Sequence, residues 1–169
     1  GVQISNYDKA QLKVSGWSTI EGDANHSLNY STSITQALVA DLHYSLLSNQ
    51  SVHDCSEQTD IEFVQNLDTN GQRTVQFDGL ADENSNGITE QIGLTIQGDT
   101  IVEPQENCHL QVRIPDDAKD TMPLKIQYCD AGETNCSEQK TFASGTINND
   151  DFLKLTVSTE SSGESVEGN

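Results

Sequence analysis

Apolar and polar residues alternate along most of the chain in short runs that fit β-strands. Turn residues such as Asn70-Gly71, Asn86-Gly87 and Gly98-Asp99 separate the runs. An eighth run, residues 38–46, also fits helical spacing, but its neighbours favour a strand. The pattern therefore predicts an antiparallel β-sandwich of seven or eight strands. The clearest runs are Leu12/Val14, Leu28/Tyr30, Ile61/Phe63, Val75/Phe77, Ile92/Leu94/Ile96, Leu110/Val112/Ile114 and Leu124/Ile126/Tyr128.

The two ends of the chain repeat one another. The matching pairs, each 143 residues apart, are Ile4/Ile147, Asn6/Asn149, Asp8/Asp151, Leu12/Leu155 and Val14/Val157. Glu21 matches Glu167 after a three-residue insertion. We interpret residues 1–10 as the end of a preceding repeat, 11–151 as one module, and 152–169 as the first strand of the next repeat. An array of this kind usually serves as a spacer or a multivalent binder.

The negative charge of the chain limits the classes of partner that it can bind. Its 169 residues include 27 Asp and Glu against 8 Lys and Arg, for a formal net charge of −19. Nucleic acids and anionic membranes would repel such a surface, and no apolar stretch is long enough to insert into a bilayer. A chain this acidic would gain stability from a bound cation.

The acidic residues gather beside the predicted strand ends. The groups are Glu21 in Glu-Gly-Asp, Asp60 in Thr-Asp-Ile-Glu-Phe, the acids of residues 98–106, and Asn149-Asp150-Asp151. Carboxylates crowded at one end of a sandwich repel one another, and Ca²⁺ binds six to eight oxygen ligands contributed by several loops. Ordinary solvated loop charges are the alternative, and composition alone does not decide between the two.

These motifs resemble those of the Calx-beta domain and occur in the same order. The family's motifs run roughly Glu-Gly, Ser-Asp-Tyr, Asp-Asp-x-x-x-Glu-x-x-Glu and Ile-x-Asp-Asp-Asp, and the match spans residues 11–151. The resemblance implies an immunoglobulin-like antiparallel sandwich of about seven strands with Greek-key connections. Such domains act as calcium sensors in sodium–calcium exchangers, and they form tandem repeats in bacterial adhesins and extracellular matrix proteins.

The resemblance also implies a calcium site at one loop end. Two positions depart from the pattern: Asn149 replaces the first acid of the closing triplet, and residues 98–100 carry one acid where calcium-sensing members carry three. Each change removes charge, so we expect lower affinity and one or two ions. Extra length is expected around 66–90 and 115–140. The implied ligands are Glu21, Asp60, Asp99, Glu103, Glu106, Asp150 and Asp151 with the Ile101 carbonyl, and Asn149 is counted with them.

A second calcium motif is incomplete. Asp82, Asn84 and Asn86 fit the opening of a D-x-N-x-N-G loop, but Gly93 stands where an EF-hand needs a bidentate Glu. A polar turn is the alternative interpretation.

The four cysteines predict two disulfides and an oxidising compartment. Cys129 and Cys136 flank a turn-rich stretch, so a hairpin could join them, and Cys55 with Cys108 follows by elimination. Four free buried thiols are the alternative.

No enzymatic signature is present. The chain contains no G-x-S-x-G, H-E-x-x-H, P-loop or dinucleotide motif. Cys55 beside His53 could suggest a thiol nucleophile, but the disulfide accounts for it better. We expect no enzyme.

The sequence therefore predicts a calcium-binding structural repeat of a large extracellular cell-surface or adhesion protein. Its partners would be neighbouring repeats, with calcium stiffening the junctions. The alternative is an adhesin module that binds a cell-surface glycan or protein through the loops at 66–90 and 115–140. An intracellular sensor is a third possibility, which the cysteines and the missing acids disfavour.

Overall fold

All regular structure in the computed structural model is β-strand. The structure describes residues 9–38, 40–78, 87–132 and 134–158, and within these ranges no helix is long and apolar enough to cross a membrane. The strands are β1 (Ala10–Ser15), β2 (Trp17–Ile20), β3 (His26–Ile34), β4 (Leu42–Leu47), β5 (Ile61–Phe63), β6 (Arg73–Val75), β7 (Ile88–Ile96), β8 (Glu106–Arg113), β9 (Leu124–Cys129), β10 (Cys136–Ser137) and β11 (Ala143–Asn148).

The strands form two sheets packed face to face. One sheet has the order β10-β9-β1-β3-β7-β5 and the other β2-β11-β8-β4-β6. The segment β1-β3-β7-β5 follows the A-B-E-D order of an immunoglobulin sandwich, and β11-β8-β4 follows G-F-C. The predicted all-β immunoglobulin-like sandwich is confirmed.

Strand count and direction differ in detail from the prediction. Eleven strands are described rather than about seven, and two pairings, β1 with β9 and β2 with β11, are parallel rather than antiparallel. The first strand crosses between sheets at Gly16, where a Cβ would lie 2.2 Å from the Ser144 carbonyl oxygen. The hairpin β9–β10 lies in the extra length predicted at 115–140. The strand predicted at residues 38–46 begins later in the structure: β4 starts at Leu42, and residues 38 and 40 precede it.

The core is built from the alternating positions that the sequence indicates. Leu12, Val14, Leu94, Ile96 and Leu110 have no exposed surface. Each fully buried aliphatic side chain contributes about 1.5–3 kcal/mol relative to an exposed one. The core therefore runs between the sheets along their whole length.

The chain enters the sandwich at one end and leaves at the other. β1 begins beside the end of β3, since Leu12 pairs with Ile34. The last residue of β11, Asn148, pairs with Ile20 at the opposite end. We call these ends the entry pole and the acidic pole.

Candidate metal centre

Four chain segments meet at the acidic pole. They are the turn after β2, the residues before β5, the β7–β8 connection and the exit from β11. Gly98 starts the β7–β8 connection so close to the β2–β3 turn that a Cβ would lie 2.2 Å from the Gly22 carbonyl oxygen. The Asn25 side chain also holds these two segments together, because its oxygen accepts a hydrogen bond of 3.1 Å from the Gly98 amide. Backbone packing therefore brings the acidic segments together.

Three carboxylates approach closely enough to share one cation. Oxygen atoms of Asp60, Glu103 and Glu106 all lie within 4.8 Å of one another, and each residue is partly buried. Glu106 opens β8, and its backbone is held opposite Ile147 of β11. Asp60 is held by its own backbone, since its carbonyl accepts the Gln97 amide at 2.9 Å, and its side chain accepts the Ser56 amide.

Glu21 belongs to the same pole through Asn149. Only 6% of Glu21 is exposed, and its amide donates to the Asn148 carbonyl at 2.9 Å. The Asn149 amide group donates to Glu21 Oε2 at 3.2 Å and to the Ile101 carbonyl oxygen at 2.9 Å. The side chain at the first position of the closing triplet thus joins two predicted ligand groups.

Two of the remaining acids, Asp99 and Asp150, bind the backbone of the surrounding loops through their carboxylates. Asp99 Oδ1 accepts the Ile101 amide at 2.6 Å, and Asp150 Oδ1 accepts the Gly22 amide at 2.9 Å. The Asp151 amide donates to Asn149 Oδ1 at 3.0 Å. Asp151 Oδ2 is shielded from solvent and accepts no hydrogen bond from the described residues.

Crowding raises the pKa of several of these carboxyls. Burial, followed by the charges of Asp60, Glu103, Glu21 and Asp99, raises the pKa of Glu106 to about 7. Burial together with the charges of Asp99 and Asp60 raises the pKa of Glu103. Each ionised carboxylate therefore disfavours ionisation of its neighbours.

Glu21 and Asp151 show the same effect. Burial and then the Asp99 charge raise the pKa of Glu21, although the hydrogen bond from Asn149 opposes the shift. Burial raises the pKa of Asp151, and the charges of Asp150, Asp23 and Asp99 add to it. Negative charges at this pole therefore oppose ionisation of both carboxyls.

All nine predicted site residues lie at this pole, but they are not equivalent. Asp60, Glu103 and Glu106 form the three-carboxylate group, whereas Glu21, Asn149 and the Ile101 carbonyl form a hydrogen-bonded set beside it. The other three bind or repel their neighbours without joining the group. They are Asp99, Asp150 and Asp151.

Asp23 was missed as a contributor to this pole. Its charge acts on Asp151, and the signal was already visible in the Glu-Gly-Asp motif. The second predicted calcium loop, Asp82, Asn84 and Asn86, lies outside the described residues.

The predicted disulfides are both present. Cys55 bonds Cys108 and Cys129 bonds Cys136, and no cysteine is free. The first bond fastens the segment that leads to Asp60 onto β8, two residues after Glu106. Covalent anchoring therefore helps position the three-carboxylate group.

The Asp54 carboxylate, the buried His109 imidazole and the partly buried Ser144 hydroxyl lie in a row beside the first disulfide. His109 Nε2 lies 3.3 Å from Asp54 Oδ1, and His109 Nδ1 lies 3.3 Å from Ser144 Oγ. The Asp54 carboxylate also accepts the amides of Gln50 and Ser51, at 2.6 and 2.8 Å. Burial alone would raise the pKa of Asp54. The hydrogen bonds that the carboxylate accepts, of which the one from the Ser51 side chain has the largest effect, outweigh burial and lower this pKa. These contacts therefore hold the β4–β5 connection against the sheet. The expectation that the protein is not an enzyme remains a prediction.

Similarity to known proteins is confined to structure. The chain is similar to the apo form of the Calx CBD1 domain at 12% identity and a TM-score of 0.49, over 85% of this chain and all of the other. It is similar to CBD12 from CALX1.2 at the same identity and TM-score, over 83% of this chain and 45% of the other. For CaCohA2 from Clostridium acetobutylicum the identity is 12% and the TM-score 0.34, over 83% and 91% of the two chains.

These likenesses do not show the family. At such identity and TM-score they carry no argument about what this chain binds, and Calx-beta membership stays a prediction. No protein-family model matches the chain, and no curated protein is significantly similar to it.

Proposed function

We propose that this protein is a calcium-binding structural repeat of a large extracellular surface or adhesion protein. The observation that carries the proposal is the three-carboxylate group of Asp60, Glu103 and Glu106, whose oxygens lie within 4.8 Å of one another. Carboxylate and carbonyl oxygens are the ligands that Ca²⁺ prefers, and Glu21 and the Ile101 carbonyl lie beside the group. Bound calcium would supply the positive charge that the pole lacks.

The path of the chain supports a role at a junction between repeats. β1 begins at the entry pole and β11 ends at the acidic pole, so successive units would be joined end to end. Asn149, Asp150 and Asp151 leave β11 within the acidic pole and are hydrogen-bonded there. A cation at this pole would therefore also fix the direction in which the chain leaves the unit.

The two disulfides support an extracellular location. Such bonds persist in oxidising compartments, and they hold the small, highly charged sandwich together. Neighbouring repeats of the same chain are the proposed partners.

Thermal unfolding with millimolar Ca²⁺ and with chelator tests the calcium site, with Mg²⁺ as the control ion. Calcium at 100 times its dissociation constant stabilises the folded state by about 2.7 kcal/mol, which raises the Tm of a chain of this size by several degrees. The variant Glu103→Gln/Glu106→Gln should lose this increase, and Asp116→Asn/Asp117→Asn at the entry pole should retain it. An equal calcium response in both variants would refute the site.

The double variant Asp150→Ala/Asp151→Ala tests the junction. We expect it to abolish calcium stabilisation, together with calcium-dependent protection of amides 149–151 from hydrogen exchange. An unchanged response would separate the ion from the junction and leave a calcium site internal to the unit.

A cleft at the entry pole favours the second candidate function, which is ligand binding. It has a volume of about 410 Å³ and combines residues of both predicted insertions, Asn70 and Gln72 from one and Asp116 and Asp117 from the other, around His43 and Arg113. Such a polar lining suits a glycan or a polar peptide. Binding on a glycan array that Gln72→Ala removes would support this function, whereas a spacer should bind nothing.

A further inference from the structure

The segment that follows β11 carries an apolar face that this sandwich does not cover. Leu155 is 87% exposed and Val157 79% exposed, and residues 152–158 form no strand. Their counterparts in the internal repeat, Leu12 and Val14 of β1, have no exposed surface at all. Side chains at equivalent positions of the repeat are therefore fully buried in β1 and largely exposed in the segment after β11.

Residues 153–158 align with β1 and are identical to it at three of its six positions. Residues 153–158 read Leu-Lys-Leu-Thr-Val-Ser, and β1 reads Ala-Gln-Leu-Lys-Val-Ser. The inward positions are apolar in both segments, and the outward position Gln11 is replaced by Lys154. In β1 these residues pair with β3 on one side and with β9 on the other.

The segment cannot fill the β1 position of its own unit. β1 starts at the entry pole, whereas residues 149–152 leave β11 at the acidic pole. Four extended residues span at most about 14 Å. The nine residues of β3 that run between the poles measure about 30 Å. A β1 position that this segment could reach therefore belongs to a different unit, placed beyond the acidic pole.

We propose that residues 153–158 are the first strand of a second β-sandwich and complete a following unit of the same kind. Leu155 and Val157 occupy the positions of Leu12 and Val14, between that unit's equivalents of β3 and β9. Four linker residues, three of them held in the acidic pole, then place the two units directly end to end. The inference rests on the repeat organisation in the proposed function and does not depend on calcium.

A chimera tests the proposal on the full chain. Residues 1–169 are continued by residues 24–148, because Glu167-Gly168-Asn169 correspond to Glu21-Gly22-Asp23 in the repeat. The added unit has no first strand except residues 153–158. We expect all eight cysteines to be oxidised, and the amides of Leu155 and Val157 to exchange on the order of 100-fold more slowly than in the 169-residue chain.

Two pairs of substitutions separate the strand from a passive linker. In the chimera, Leu155→Ser/Val157→Ser should unfold the added unit and expose four thiols, and the matched pair Lys154→Ser/Thr156→Ser should leave it folded. A folded added unit in the Leu155→Ser/Val157→Ser chimera would overturn the proposal.

A reference protein runs residues 1–151 directly into residues 9–148, which restores β1 and β2 at the same spacing. An added unit that folds in the reference and not in the chimera would overturn the proposal, and so would one that folds in neither. All arms are run with calcium and with chelator. The calcium site is decided separately, by the unfolding midpoint of the 169-residue chain, so that either proposal can fail alone.

Discussion

Carboxyl pKa values are shifted in opposite directions at the two poles of the sandwich. At the entry pole, the Lys119 ammonium lies 2.6 Å from the Asp116 carboxylate and lowers its pKa. Amides of Gln72 and Asn70 donate to the Asp68 carboxylate at 2.8 Å, and their hydrogen bonds, led by that of Gln72, lower its pKa. At the acidic pole, burial and neighbouring carboxylates raise the pKa of Glu106 to about 7.

The difference shows at which end the protein itself stabilises its ionised carboxylates. Asp116 lies beside a cation and Asp68 accepts backbone amides, so folding stabilises the ionised forms of both carboxylates. At the acidic pole, burial and neighbouring charges disfavour the ionised forms of Glu21, Glu103, Glu106 and Asp151. A ligand that supplied positive charge would remove this cost, so the pole with raised pKa values is where a bound cation would stabilise the fold most.

The largest effect is expected from the disulfide beside the acidic pole. The bond between Cys55 and Cys108 spans 53 residues and that between Cys129 and Cys136 spans 7. Replacing each pair by Ser should cost about 4 and about 2 kcal/mol of unfolding free energy, respectively, from loop entropy. Urea unfolding measures both losses. Only the Cys55/Cys108 variant should also weaken calcium binding, because that bond anchors the segment leading to Asp60; equal calcium affinity in the two variants would contradict this.

The stabilising effect that Glu106→Gln has in chelator at pH 8 should disappear at low pH and should reverse in calcium. A raised pKa stabilises the folded state below the ordinary value of 4.5, and the contribution is lost as pH rises through about 7. In chelator, the variant should therefore exceed the parent by about 1–2 kcal/mol at pH 8, after allowance for partial exposure, and match it at pH 4. In calcium at pH 8 it should be the less stable protein. Chemical unfolding under the three conditions checks this, and a variant that is weaker in chelator at pH 8 would contradict the electrostatic account.

Asp68→Asn should show the opposite pH dependence, with a smaller effect. A lowered pKa contributes stability above the ordinary value of 3.8 that is lost as pH falls through the folded-state value. Asn keeps an acceptor for the two amides but loses the charge. We expect a slightly lower Tm at pH 7 and no difference near pH 2, and a calcium response equal to that of the parent serves as the control.

The smallest effect is expected from salt. Raising NaCl from 0.05 to 0.5 M in chelator should increase the Tm, because screening shortens the range of repulsion from about 14 Å to about 4 Å. The slope should be shallower in Glu103→Gln/Glu106→Gln than in Asp116→Asn/Asp117→Asn. Identical slopes would mean that repulsion at the acidic pole does not limit stability.

The sequence predicts the core well and the edges poorly. Alternation at Ile92/Leu94/Ile96 marks β7, and alternation at Leu110/Val112 marks the second half of β8, because these side chains face the core. The parallel pairing of β2 with β11 leaves no local signal, since it depends on the sheet crossing at Gly16 and on strands far apart in sequence. The short strands β5 and β6 have ends set by their neighbours rather than by their own residues.

The candidate site follows a similar division. Motif order predicts which segments carry the acids, and the fold brings all of those segments to one pole. Spacing could not reveal that Asn149 bridges Glu21 and the Ile101 carbonyl, or that Asp60 rather than Glu21 joins Glu103 and Glu106. Those outcomes depend on side-chain directions fixed only after the sheets pack.

The parallel contact between β2 and β11 has a mechanical consequence. A force that pulls the two ends of the unit apart draws β2 towards the entry pole and β11 towards the acidic pole. The four register pairs between these strands are then loaded together in shear, instead of opening one after another. We therefore expect the sandwich to resist stretching along the line between its two poles more strongly than its modest core would indicate.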